Sequence, residues 1–154
     1  MKKAIKFIIS LVVCQLAGVI GSFFTISSVS TWYLVLNKPS FNPPSWIFSP
    51  VWISLFILMG IALFLVWEKG LKKNKIAVSL FAIQLVLNIF WSVLFFGLKS
   101  PLAALIEIII LWTAILLTMI YFYRISKLSG WLMLPYLLWV SFATVLNLFI
   151  VVLN

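Results

Sequence analysis

The sequence predicts an all-α integral membrane protein, a five-transmembrane-helix bundle with a structured proline- and aromatic-rich loop between helices one and two. Three observations predict it. Of 154 residues, 66% are hydrophobic and only 8% charged, whereas a soluble domain is about 25% charged, and the mean hydropathy is +1.29. Apolar runs at about 6–26, 47–67, 76–98, 102–123 and 132–153 each approach the roughly 20 helical residues that cross a hydrocarbon core about 30 Å thick. The length suits one domain over 1–154. Third, the positive charges sit in the short connections. Starting the first helix in the cytoplasm places Lys2, Lys3, Lys6, Lys69, Lys72, Lys73, Lys75, Arg124 and Lys127 inside, and only Lys38 and Lys99 outside. Such a bias predicts a cytoplasmic N-terminus, with the C-terminus and the first loop outside. It also explains the net charge of +9 without a nucleic-acid partner.

Several chemistries are excluded by composition. The lone Cys14 permits no intrachain disulfide, and with no histidine and only Glu68 and Glu107 as acids no metal cluster, hydrolytic triad or carboxylate dyad can be assembled.

The first run begins KKAIK and continues through FIISLVVCQ to Ile26, too long for a signal peptide's apolar core, and Val13 is not the small residue that precedes a lipidated cysteine. It carries a strip of small residues, Cys14, Ala17, Gly18, Gly21, Ser22 and Thr25. Close helix packing is the first reading of such a strip and ligand contact the second.

Between Trp32 and Trp52, Pro39, Pro43, Pro44 and Pro50 each fix φ, lack a donor and push the preceding residue out of the helical region, so this segment is no continuous helix. Trp32, Tyr33, Phe41, Trp46 and Phe48 are too apolar for a solvated linker. The segment reads as a rigid lid with something to cover. Lys38 is read as a solvated loop cation, or else as a partner for an anionic ligand group.

The later helices carry aromatic stripes. The second presents Trp52, Phe56, Met59, Gly60, Leu63 and Trp67; the third Gln84, Asn88, Trp91 and Phe95; the fifth Trp139, Ala143, Leu146 and Ile150, with Asn147 alongside. Trp32, Trp67 and Trp131 fall at helix ends, as an interfacial belt would have them. Trp91 lies past mid-span, and Trp52 and Trp139 lie a turn or two below the loop, so these three face either a pocket or lipid. Gln84 and Asn88 need partners in hydrocarbon: an interhelical hydrogen bond first, a ligand second. Val86–Phe90 is echoed by Val145–Phe149, but no longer repeat supports the echo. Glu107, the one acid inside a span, is expected to snorkel, to pair with a backbone or hydroxyl group, or to couple protons. Pro135, one turn into the fifth span, would bend or start that helix.

Together these residues describe an aromatic cavity under the loop, suited to a flat or rigid hydrophobic ligand. Any chemistry there would belong to the ligand, with tryptophans as electron partners.

The same residues resemble a known family. Trp32-Tyr33, Leu36-x-Lys38-Pro39-x-x-x-Pro43-Pro44-x-Trp46, Pro50-Val51-Trp52, Leu65-Val66-Trp67, Leu85-x-Leu87-Asn88-x-x-Trp91, Phe95-Phe96-Gly97, and Pro135-Tyr136-x-x-Trp139 with Phe142-Ala143 and Leu146-Asn147 are similar, in one order over nearly the whole chain, to the translocator protein and tryptophan-rich sensory protein (TspO/MBR) family. The resemblance implies a receptor or sensor for porphyrins such as protoporphyrin IX and for isoquinoline carboxamide or benzodiazepine drugs, with no covalent cofactor. It implies a cavity lined by Tyr33, Pro43, Trp52, Phe56, Asn88, Trp91, Trp139 and Ala143. Light-dependent porphyrin breakdown, with Trp52 and Trp139 as candidates, and homodimerisation are further implications. The alternative is a transporter of porphyrins or other amphiphiles, coupled through Glu107, against which stands the lack of an inverted repeat. The family's proposed cholesterol motif needs a Tyr followed by Lys or Arg, and Leu146–Asn154 lacks it. Dedicated cholesterol binding is therefore not expected, and a bacterial cell membrane is the expected location.

Overall fold

The computed structural model describes residues 1–154 and contains helices and turns only. In chain order these are α1 (Lys3–Val29), a short α2 (Trp32–Val35), a 3₁₀ turn (Ser45–Ile47) running directly into α3 (Phe48–Glu68), α4 (Lys75–Ser92) extended by a π segment (Val93–Gly97), α5 (Pro101–Ile125) and α6 (Lys127–Leu153). Five of these units are long and apolar enough to cross a membrane. Pro50 sits in the first turn of α3, where its missing N–H would have had no helical partner anyway.

Two spans start or end beyond their hydropathy limits. α1 runs past Ile26 to Val29, its polar last turn satisfied locally by the Thr31 hydroxyl donating to the Ser27 carbonyl (2.7 Å). α6 begins at Lys127 rather than 132. Its first turn is held by a tight corner: the Ser129 hydroxyl lies within reach of the carbonyls of Phe122 (3.0 Å) and Ser126 (2.9 Å), and a Cβ on Gly130 would lie 2.7 Å from Tyr123 Cα. Packing starts this helix before hydrophobicity does. Pro135 therefore stands about two turns inside α6, not one, and leaves the carbonyl of Trp131 without its usual i+4 donor.

The end of α4 also departs from a plain helix. Leu98 N–H donates to the Val93 carbonyl (2.7 Å), five residues back, and the widened turn directs the adjacent Phe95 and Phe96 both into the protein. The Ser28 hydroxyl of α1 donates to the Phe96 carbonyl (2.8 Å), tying the two helices together there.

Helix contacts close a ring in the order α1, α3, α6, α5, α4 and back to α1. In lipid such association rests on close packing rather than on burial of apolar surface. Gly60 shows the principle: a Cβ there would lie 2.9 Å from Leu11 Cα and 3.2 Å from the Ser10 carbonyl oxygen. The outward surfaces are apolar throughout, with Phe23, Ile26, Val86, Leu102, Ile106, Leu138 and Val152 all exposed. A chain with this surface is an integral, multi-pass membrane protein. At the lysine-rich end Lys6 pairs with Glu68 (2.8 Å), a solvent-screened bridge that contributes little to stability.

Candidate functional site

Inside the ring, at the loop end, lies a cavity of about 540 Å³, within the usual range for small-molecule sites, roughly 300–1,000 Å³. Seven of the eight residues expected to line it do so: Tyr33 from α2, Trp52 and Phe56 from α3, Asn88 and Trp91 from α4, and Trp139 and Ala143 from α6. Pro43 does not reach the wall. It shapes the turn beside Asn42, whose side-chain oxygen accepts from the Tyr33 hydroxyl (2.8 Å), so its effect on the lid is indirect.

Each aromatic is held by its neighbours. The Trp91 ring stacks on Phe95 (centroids 5.0 Å apart), and its Nε1–H donates to Asn147 Oδ1 (3.2 Å). Asn147 Nδ2 in turn donates to the Pro101 carbonyl (2.9 Å), so one buried amide joins α4, α5 and α6. Trp52 lies beside Phe56 and edge-on to Tyr136 (6.2 Å). Trp139 contacts Phe48 (6.1 Å) and Phe142 (5.5 Å).

Asn88 makes the interhelical hydrogen bond, its Nδ2 donating to the Tyr136 hydroxyl (2.8 Å), and it also lines the cavity. Gln84, one turn deeper, is fully buried; its Nε2 reaches only Met59 Sδ (3.8 Å) and its oxygen has no partner. The small-residue strip of α1 divides in the same way: Cys14 and Ala17 pack in the core, whereas Gly18, Gly21, Ser22 and Thr25 line the cavity. Phe95, Phe142 and Leu146 complete the wall. The third and fifth stripes already held Phe95 and Leu146, and Phe142 stood in the family motif; Phe96 comes inward beside Phe95 through the π segment.

Lys38 is neither solvated nor free for an anion. Its ammonium donates to the carbonyls of Tyr33 (2.8 Å), Leu36 (3.0 Å) and Leu34 (3.3 Å) and sits over the Tyr33 ring (4.9 Å), so it caps α2. Burial pushes the Tyr33 phenol up to about 12, with the Asn42 hydrogen bond opposing the shift. Glu107 also departs from expectation. It is 5% exposed, both carboxyl oxygens lack a partner, and it is absent from the cavity wall. Thus it neither snorkels nor pairs. Of the tryptophans assigned to the belt, Trp131 is exposed, Trp67 is half-buried, and Trp32 packs edge-on against Phe95 (5.6 Å).

The wall contains no charged side chain. It can hold a ligand through ring contacts and apolar area, with a few amides and hydroxyls to orient it. Toward the lysine-rich end the space is filled by a packed core that includes Met59, Phe81, Phe122 and Met133, so the cavity is blind there.

Comparison with known proteins places these residues in context. The model of the TspO/MBR family matches residues 10–153. The chain is 53% identical over 143 residues to the tryptophan-rich protein TspO of Chlorobaculum tepidum, covering 92% of this chain and 90% of that one. It is 39% identical to the tryptophan-rich sensory protein of Cereibacter sphaeroides (75% and 72% covered) and 36% identical to the human translocator protein (83% and 78% covered).

Proposed function

Because the chain belongs to the TspO/MBR family, we propose that it is a membrane receptor that binds porphyrin-type tetrapyrroles, and other rigid hydrophobic molecules such as isoquinoline carboxamides and benzodiazepines, in the aromatic cavity. The observation that carries this reading is the convergence of Trp52, Trp91 and Trp139, with Phe56 and Tyr33, on one uncharged space under the loop. Aromatic walls suit a flat conjugated ring, because offset and edge-on contacts contribute about 0.5–1.5 kcal/mol each beyond area burial. The blind lysine-rich end favours binding over conduction. The sensory name of the relative from Cereibacter sphaeroides agrees with a receptor. The lysine bias supports a bacterial cell membrane with the lysine-rich end cytoplasmic.

Titrating protoporphyrin IX into the full-length protein in lipid nanodiscs tests this. Saturable quenching of tryptophan emission is expected, and Trp52→Leu with Trp139→Leu should weaken binding about ten- to thirtyfold, from loss of roughly 0.7–1 kcal/mol per ring. Quenching that never saturates, or is indifferent to both substitutions, removes the reading.

Light-driven breakdown of the bound porphyrin is the second reading. It is favoured by the position of Trp52 at the wall and edge-on to Tyr136, and it predicts a product under light and oxygen that free porphyrin does not give.

A further inference from the structure

The cavity has two boundaries, and they are built differently. Over the loop end the roof is latched to α6. Asn37 N–H donates to Asn154 Oδ1 (2.9 Å), Asn154 Nδ2 donates to the Asn37 carbonyl (2.8 Å), and Asn37 Nδ2 donates to the Leu153 carbonyl (3.3 Å). Phe41 packs edge-on against Phe142 (6.2 Å) and Phe149 (5.3 Å).

The side between α1 and α3 carries no such latch. Toward the lysine-rich end these helices meet closely: Leu11 lies against Gly60, the Phe56 ring lies where a Gly18 Cβ would point, and Gln15 Nε2 donates to the Ile53 carbonyl (3.2 Å). Loopward of Gly18 no hydrogen bond joins the two helices. Val19 and Ile26 of α1 and Ile53 of α3 all line the cavity, yet they are 50%, 70% and 53% exposed. Lining side chains that are half or more exposed leave little protein between the cavity and the lipid. Ser22 of α1 and Ser49 of α3 also line the cavity, and no hydrogen bond joins them, Ser22 donating to the Val19 carbonyl of its own helix (2.6 Å).

We propose that this unlatched side is a lateral window through which a flat amphiphile dissolved in the loop-side leaflet passes between bilayer and cavity while the loop stays shut. The proposal rests on the binding reading above and adds the route. Parting apolar side chains that already face lipid breaks no hydrogen bond, whereas lifting the roof breaks the three that join Asn37 to the end of α6. The ligand would be a molecule that partitions into hydrocarbon before it meets the protein, and Gln15 would form the sill of the window.

The test compares two reversible tethers in full-length protein carrying Cys14→Ala, in nanodiscs. One protein carries Ser22→Cys with Ser49→Cys, the other Asn37→Cys with Asn154→Cys, each bridged by a bis-methanethiosulfonate of matched span and compared with its own reduced form. Protoporphyrin IX association and dissociation are followed by tryptophan quenching. The window tether should slow both rates by about tenfold or more relative to its own reduced form, as closing a gate does, while the roof tether leaves the rates as they were. Slowing by the roof tether alone, equal slowing by both, or slowing by neither overturns the window. Absence of saturable quenching in the reduced proteins would instead remove the binding reading, and the window with it.

Discussion

Glu107 is the residue whose surroundings differ most from what its type requires. A buried carboxyl group with two unpartnered oxygens carries its desolvation cost uncompensated, about 1–3 kcal/mol for a neutral group and more for a charged one. Glu107→Gln keeps the shape and removes the option of charge. Thermal unfolding in detergent should therefore show a variant as stable as the parent or more so, and porphyrin affinity should be unchanged, because the residue is not on the wall. Loss of binding, or loss of porphyrin uptake into proteoliposomes that the parent supports, would return a working role to the carboxyl group and revive the coupled-transport alternative. Sequence identified Glu107 as unusual because acids are rare in spans. It could not show that the partners were missing, since that depends on which way a helix with apolar residues on every side is turned.

At the scale of elements, the bundle depends on how closely α1 approaches α3. The contact at Gly60 is with backbone, Leu11 Cα and the Ser10 carbonyl, so an added methyl cannot be accommodated by a rotamer change. Gly60→Ala should cost about 1–3 kcal/mol, the usual range for overpacking, read as a lowered unfolding temperature. A neutral outcome would mean that the helices part more easily than their packing indicates. Elements with strong hydropathy were legible in the sequence; their ends and irregularities were not. The early start of α6 depends on Ser129 and Gly130 fitting a corner against Tyr123 and Phe122, a tertiary effect with no hydropathy signal. The π segment likewise shows only in which neighbours Phe95 and Phe96 find. Lys38 capping α2 went unseen because the short helix was read as loop.

Across the whole molecule, the sequence indicated the ring of helices and the aromatic cavity well, because tryptophans at helical spacing beneath a proline-rich loop have few ways to be accommodated. The pattern by itself left Trp52, Trp91 and Trp139 facing either a pocket or lipid; the family resemblance set them on the cavity wall, where they lie. Pro43 was misplaced because a motif shared with a family does not separate residues that touch a cavity from residues that shape its lid. The loop half of the α1 strip was under-read for a related reason: small residues serve close packing and open space equally, and only the position of the cavity beside Gly18, Gly21, Ser22 and Thr25 decides between them. Chemical protection tests the central claim most directly, that the space under the loop is the binding site. In a Cys14→Ala background, Ala143→Cys places a thiol on the cavity wall and Ile76→Cys places one on the exposed surface at the lysine-rich end. Saturating protoporphyrin IX should slow modification at position 143 by a small methanethiosulfonate reagent and leave position 76 unaffected; equal modification at 143 with and without bound porphyrin would contradict the account.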